Sequence, residues 1–276
     1  MDIEILEMEE RKGIFILKNS SPAMANALRR TMLSDIPKMA IDKVEFHLGP
    51  IMVNDTEYES VTPLFDEIVA HRLGMVPVPT DHELFTYQDQ CSCAGVGCPS
   101  CTLMYSLNKI GPCTVLSGDM IPLGNPDLKV KDEFIPIVEL TDGQAVLIYA
   151  TAVMGTSKNH VKWQAAFGVG YKYRPEVSIE ASKVSDPDVL NCAKICPRHV
   201  FEEKSGKLKV KDSDHCSMCM ACVDASNKAI TVKGDDKNFY FQFETDGSLT
   251  ARQLLDKAVE ILAAEANEFA AGIEGL

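Results

Sequence analysis

The sequence is short of positive charge. Its 276 residues carry 27 basic side chains against 40 acidic ones, a formal net charge of -13 at pH 7. A surface this acidic repels phosphates, so little or no direct contact with DNA or RNA is expected of it. Long hydrophobic runs are missing too. The longest, AVLIYATAVM at 145–154, is too short to cross a bilayer. The opening stretch MDIEILEMEERKG places acids where a secretory leader carries a basic patch and then an apolar run. These absences predict a cytoplasmic protein that meets no membrane. Catalytic signatures are lacking as well: there is no nucleophile elbow, no phosphate-binding P-loop and no aspartate triplet for catalytic magnesium. The G-x-G at 95–97 has no strand before it and no helix after it, and GVG at 168–170 sits inside a strand pattern, where a bulge is the better reading. Asp66, Glu67 and His71 share one predicted helix but have no acid–base partner nearby, which reads as a solvated face. The expectation is a chain with no chemistry of its own.

With 46% hydrophobic residues the chain can bury a real core. Residues 2–7 and 13–18 read as strands. A helix follows in SSPAMANALRRTMLSDIP, with Ser21 as cap, Pro22 at the first helical position and Pro37 barring continuation. On it Met24, Ala27, Leu28 and Thr31 are predicted to face inward, with Asn26, Arg29 and Arg30 on another face. A strand at 40–49 precedes a second helix over 62–74, with Thr62 as cap and Gly74 as stop. Strands are then predicted at 103–109, 113–117, 134–140, 144–155 and 164–181. After a turn at Asp246-Gly247, a long helix begins near Thr250. Its apolar stripe of Leu255, Val259, Leu262, Ala266 and Phe269 either covers its own sheet or seals a partner.

Ten cysteines in a chain without an export signal point to metal rather than disulfides. Between 184 and 233 an internal repeat runs at an offset of 30 residues: Asp186 aligns with Cys216, Val189 with Cys219, Cys192 with Cys222, Cys196 with Ser226 and Val200 with Ile230. That is the duplication of a bacterial-type ferredoxin, whose full half reads C-x2-C-x2-C-x3-C-P and borrows its last cysteine from the other half. By that rule Cys216, Cys219 and Cys222 join Cys196, which Pro197 follows, to hold one 4Fe-4S cluster. A 3Fe-4S form after loss of one iron stays open, as does zinc on the same four thiolates. The reciprocal site has only Cys192 of its four ligands, so a second cluster is not expected. Cys192 is then either a small core residue or a thiol close enough to oxidise against a ligand. His199 and His215 fit no zinc spacing and are predicted at the surface or as hydrogen-bond partners of the ligands. A second set, Cys91, Cys93, Cys98 and Cys101, packs four thiolates into eleven residues with Gly95 and Gly97 between them, which suits tetrahedral zinc. Cys113 has no sequence partner and reads as core.

Several stretches together resemble the D-type subunits of archaeal RNA polymerase, a family itself similar to the third-largest subunit of eukaryotic polymerase II and to the amino-terminal domain of bacterial alpha. They are NALRRTMLSDIPKMAIDKVEF at 26–46, LFDEIVAHRLGMVPVP at 64–79, the cysteine loop at 91–101, NHVKWQ at 159–164 and the final helix. The resemblance implies an α+β fold in three parts. Residues 1–47, 166–183 and 234–276 would form an alpha-like dimerisation subdomain, 48–165 an inserted, mostly-β subdomain bearing the zinc loop, and 184–233 an inserted ferredoxin-like 4Fe-4S module. It further implies a non-catalytic assembly role within the nucleotidyltransferase. The chain would pair with small subunit L through Leu255, Val259, Leu262 and parts of the first helix, then recruit subunits N and P and the large catalytic subunits. Arg29 and Arg30 would contact the second-largest subunit. The competing expectation is a ferredoxin-type electron carrier with a single cluster, although no flavin or haem motif supplies it with a redox partner.

Overall fold

The computed structural model describes residues 1–53 and 55–274. Its elements run β1 (Asp2–Met8), β2 (Lys12–Lys18), α1 (Pro22–Ser34), β3 (Lys38–Phe46), β4 (Pro50–Val53), β5 (Thr56–Glu59), α2 (Asp66–Met75), β6 (Thr102–Ile110), β7 (Cys113–Leu116), β8 (Ile121–Leu123), β9 (Pro136–Leu140), β10 (Ala145–Gly155), β11 (Ala166–Ile179), α3 (Pro187–Ile195), β12 (Phe201–Lys204), β13 (Lys207–Val210), α4 (Ala221–Ala225), β14 (Ile230–Thr245) and α5 (Ala251–Glu274). The fold is mixed α and β, with strands in the majority. No described helix is long and apolar enough to cross a membrane.

The chain forms two compact units. The first contains Met1–Glu7, Gly13–Ala27 and Gly170–Gln242. Its sheet has the strand order β1-β2-β14-β11. Alternation decides the two faces of this sheet. Phe239 and Phe241 of β14 are fully buried, and Tyr171 of β11 meets both rings at centroid distances of 5.7 and 5.1 Å. Phe15 of β2 stacks on Phe241 at 4.9 Å. The intervening residues, Lys172 and Arg174 on β11 and Tyr240 on β14, therefore point to the opposite face. Residues 184–233 add the short helices α3 and α4 and the β12–β13 hairpin around a small core of Val189, Val200, Phe201, Leu208 and Ile230 with four cysteines among them.

The second unit contains Met8–Lys12, Leu28–Val169 and Phe243–Leu276. Its main sheet, in order β3-β10-β6-β8, is antiparallel throughout. Helix α2 lies against β3 and buries Val69 and Leu73 in the core beneath. The second predicted helix starts later than its sequence suggests. Thr62 does not cap it, because its hydroxyl donates to the Leu64 carbonyl, and the helix opens at Asp66. Gly74 lies inside its last turn, and the chain leaves the helix at Val76, directly before Pro77. Helix α1 is capped as expected, with the Met24 N–H donating to Ser21 Oγ at 3.3 Å, but its inward stripe is rotated. Ala25, Leu28, Thr31 and Met32 are buried while Met24 is exposed.

Helix α5 opens on a reciprocal cap. The Gln253 N–H donates to Thr250 Oγ1 at 3.2 Å, and the Thr250 N–H donates to Gln253 Oε1 at 3.0 Å. Just before it, Gly247 has a φ of +89°, a conformation that residues with a Cβ rarely adopt, and an added Cβ would also have to displace the Arg11 guanidinium. Ala251, Leu254, Leu255 and Ala258 are buried within this unit, whereas Phe269 is 72% exposed. The assignment of Leu255 to a partner surface is thereby corrected: at 3% exposure it is used by its own chain. Val259 and Leu262 are half-buried and Ala266 is exposed, so the free part of the stripe begins about one turn later than the sequence suggests.

Candidate metal centres and the family of the chain

In the second unit the loop that follows residues 88–90 folds back tightly on itself. The Ala94 N–H donates to the Cys91 carbonyl and the Cys101 N–H to the Cys98 carbonyl, at 3.0 and 2.9 Å. Gly95 and Gly97 take φ values of +84° and +98° and so make the reversal between the two cysteine pairs. The four sulfurs consequently converge. Cys91 lies 3.5 Å from Cys98, Cys93 lies 3.6 Å from Cys101, and Cys98 lies 3.9 Å from Cys101. All four donors fall within 4.8 Å of one another, the sole such set of Cys, His, Asp and Glu donors among the described residues. A tetrahedral ion with sulfur at about 2.3 Å separates its ligands by about 3.8 Å, so these thiolates could bind a metal ion with little movement. The protein already favours one anion here: the Cys93 backbone N–H and the Cys98 thiol lower the Cys91 pKa to about 6, while burial raises Cys101 to about 12.

In the first unit Cys196, Cys216, Cys219 and Cys222 line a single recess, together with Pro197, Phe201 and Val232. Three of these cysteines are buried and Cys219 is exposed. Burial raises the Cys222 thiol to about 11, with Cys192, Cys216 and Cys196 adding to the effect. The Met218 N–H donates to Cys216 Sγ at 3.3 Å. Met218 and Met220, on either side of Cys219, have φ values of +54° and +65°. Left-handed methionine is disfavoured, by about 1–3 kcal/mol for such a conformation, so the surrounding structure has to hold this loop in place.

The repeat read in the sequence has a counterpart in the backbone. The Cys196 N–H donates to the Cys192 carbonyl at 3.1 Å and the Ser226 N–H to the Cys222 carbonyl at the same distance. Likewise His199 donates to Cys196 and Ala229 to Ser226, at 3.2 and 3.0 Å, each pair offset by 30 residues. At the reciprocal position the space is filled. Val189 is buried, and Ser226 Oγ accepts from the Ile230 N–H at 3.0 Å and donates to the Val223 carbonyl at 3.3 Å. Cys192 is fully buried, and its thiol donates to the Asp188 and Cys222 carbonyls at 3.4 and 3.6 Å, so it is a core residue. Cys113 is only half-buried at the core edge and bonds the Ile110 carbonyl.

His199 and His215 are exposed, and His215 Nδ1 lies 2.9 Å from an Asp212 carboxylate oxygen. Asp66, Glu67 and His71 are exposed on α2 as expected. On α1, Arg30 is exposed and Arg29 half-buried. Two residues went unnoticed in the sequence. Lys172 and Arg174 of β11 both bond the segment that leads into Cys216. Their signal was the alternation YKYR at 171–174, which places both cations on one face of a strand.

Comparison with known proteins places the chain in a family. Residues 14–266 match the RNA polymerase Rpb3/Rpb11 dimerisation domain. The chain belongs to this family. Within it, DNA-directed RNA polymerase subunit Rpo3 of Picrophilus torridus is 43% identical over 261 residues, covering 94% of this chain and 95% of the relative. The same subunit of Thermoplasma volcanium is 44% identical over 95% of both chains. That of Archaeoglobus fulgidus is 39% identical over 97% of this chain and 96% of its own. Membership in the Rpb3/Rpb11 family accounts for the missing catalytic signatures, since a dimerisation domain needs a surface and not a nucleophile.

Proposed function

We propose that this chain is the non-catalytic assembly subunit of a DNA-dependent RNA polymerase. It pairs with an L-type small subunit, and the pair is the platform for subunits N and P and then for the large catalytic subunits. The observation that carries this reading is full-length similarity to polymerase subunits, over more than nine-tenths of both chains. The same similarity favours assembly over the single-cluster electron carrier. The dimerisation subdomain is residues 1–47, 166–183 and 234–276; the sheet that unites β1, β2, β14 and β11 supports the grouping of those strands, while β3 and α5 pack in the second unit. The partner meets Val259, Leu262 and the exposed end of α5 around Phe269, where an obligate apolar interface buries on the order of 2,000 Å² or more. Arg29 and Arg30 of α1 donate charge-assisted hydrogen bonds to the second-largest subunit.

Cys91, Cys93, Cys98 and Cys101 hold zinc, which pins the loop of the inserted subdomain 48–165. Their sulfur separations support a shared single ion. Cys196, Cys216, Cys219 and Cys222 hold a 4Fe-4S cluster in a ferredoxin-like module spanning 184–233. The turns repeated at an offset of 30 residues and the recess that all four cysteines line support this. Bound there, the cluster supplies a cross-link between the end of α3 and the loop entering α4, in a module too small to rely on its own core. Co-expression with an L-type subunit, followed by size measurement and metal analysis, tests the reading. A heterodimer with the iron of one 4Fe-4S cluster and one zinc per chain is expected, and a monomer indifferent to the small subunit would refute it.

A further inference from the structure

Within the first unit, the segment that presents Cys216 is held from behind by one strand. Lys172 Nζ donates to the Cys216 carbonyl at 2.8 Å and also to the Asp214 carbonyl. The Arg174 guanidinium forks onto the Asp214 carboxylate, with Nε and Nη2 at 2.9 and 3.1 Å from its two oxygens. Asp214 is itself fixed by its N–H, which donates to Asp212 Oδ1 at 2.9 Å. Lys172 is half-buried, and its ammonium lies 4.8 Å from the centre of the Tyr240 ring on β14. A partly desolvated ammonium is costly to keep unless something nearby uses the charge. Here both of its direct acceptors bracket the approach to a thiolate ligand.

We propose that Lys172, assisted by Arg174, is a positioning residue for the iron–sulfur cluster: it fixes the Cys216 loop to β11 and places a permanent positive charge behind the first ligand of the triplet. The inference rests on the cluster reading given above and adds to it which residues outside the ligand set control the site. The geometry resembles the partners that orient metal-bound histidines, whose loss costs about 10–100-fold in metal affinity. Charge acts separately from position. A cation beside the cluster stabilises its more negative, reduced form, so removing it lowers the reduction potential. A merely structural lysine would leave the potential unchanged.

The test uses the full chain, purified anaerobically or as its heterodimer, in three forms: wild type, Lys172→Met and Lys172→Arg. Iron content, the rate of cluster loss to a chelator and the midpoint potential are read for each. Lys172→Met is expected to lose its cluster roughly tenfold faster than wild type, with a potential shifted to more negative values. Lys172→Arg should restore the potential while recovering retention only in part, because a planar fork replaces a point donor. Asp214→Asn, which keeps every backbone bond, weakens the Arg174 fork and removes one negative charge, serves if the methionine variant does not fold, and should show faster loss with a potential shifted to more positive values. Equal retention and equal potential in wild type and variants would overturn the inference and leave the cluster reading intact. A wild-type chain that takes up no iron would overturn both.

Discussion

Asp246→Asn should cost this chain about 3–4 kcal/mol, far more than an isosteric change in a turn normally costs. Lys38 opens β3 with its side chain 4% exposed, and Asp246 sits in the turn before α5 at 8%. They form an ion pair across 208 residues of sequence. Lys38 Nζ also donates to the carbonyls of Lys162 and Gln164 at 3.1 and 3.4 Å. Asp246 Oδ1 accepts from the Ser248 N–H and hydroxyl at 3.0 and 2.6 Å. Asparagine at 246 can retain both Ser248 bonds through its oxygen, but its amide nitrogen then replaces the Oδ2 acceptor opposite Lys38, so the substitution removes the charge together with that hydrogen bond. What remains is a buried ammonium with two carbonyls and no counter-ion, the situation that costs about 3–5 kcal/mol when one partner of a buried pair is deleted. The two surviving carbonyl bonds place the estimate at the lower end of that range. Replacing both residues, as in Lys38→Met with Asp246→Asn, should recover at least half of the loss, since no unpaired charge is left.

The assay is built into the molecule. Trp163 is the one tryptophan in the sequence. It lies between the two carbonyls that Lys38 holds, is buried, and donates through Nε1 to the Val153 carbonyl at 3.1 Å. Urea unfolding followed by tryptophan fluorescence therefore reports on the perturbed site. A change below about 0.5 kcal/mol, the level of an exposed pair, would refute the claim that this pair is buried and coupled.

Thr250→Ala removes one half of the α5 cap and should destabilise the second unit by about 1 kcal/mol, seen as a lower urea midpoint. Leu255→Ala should cost about 2–5 kcal/mol in the isolated chain because it opens a cavity. Leu262→Asp should leave that midpoint within about 0.5 kcal/mol and instead weaken pairing with the small subunit by at least tenfold in a titration; the reverse outcome would mean that the inward and outward faces of α5 are misassigned. Treating the chain with a zinc chelator should release one zinc per chain while iron absorbance persists. Cys101→Ser should give zinc-free protein with its iron retained, and simultaneous loss of both metals would show that the two sites are not separate.

Much of this was legible in the sequence because it is local. The two cysteine spacings, the cap at Ser21 and the positions of most strands depend on residues within a few positions of each other, where backbone geometry fixes which side chains can meet. Residues with several local options misled. Thr62 preferred a carbonyl two residues ahead to capping a helix, and Gly74 was accommodated inside a helix that Pro77 ends. The rotation of α1, which exposes Met24 and buries Met32, depends on what lies across from the helix, and periodicity leaves that undetermined by a residue or so.

The amino acids by themselves determined that the chain is acidic, lacks catalytic signatures and carries two sets of thiols with metal spacing, and which family it belongs to. Tertiary structure alone decided that Leu255 is spent on its own core and that Lys38 finds its counter-ion in the turn before the last helix. The reason is the same in each case: a spacing specifies geometry along one element, whereas a partner from a distant element is selected only when packing brings the two together and excludes water from between them.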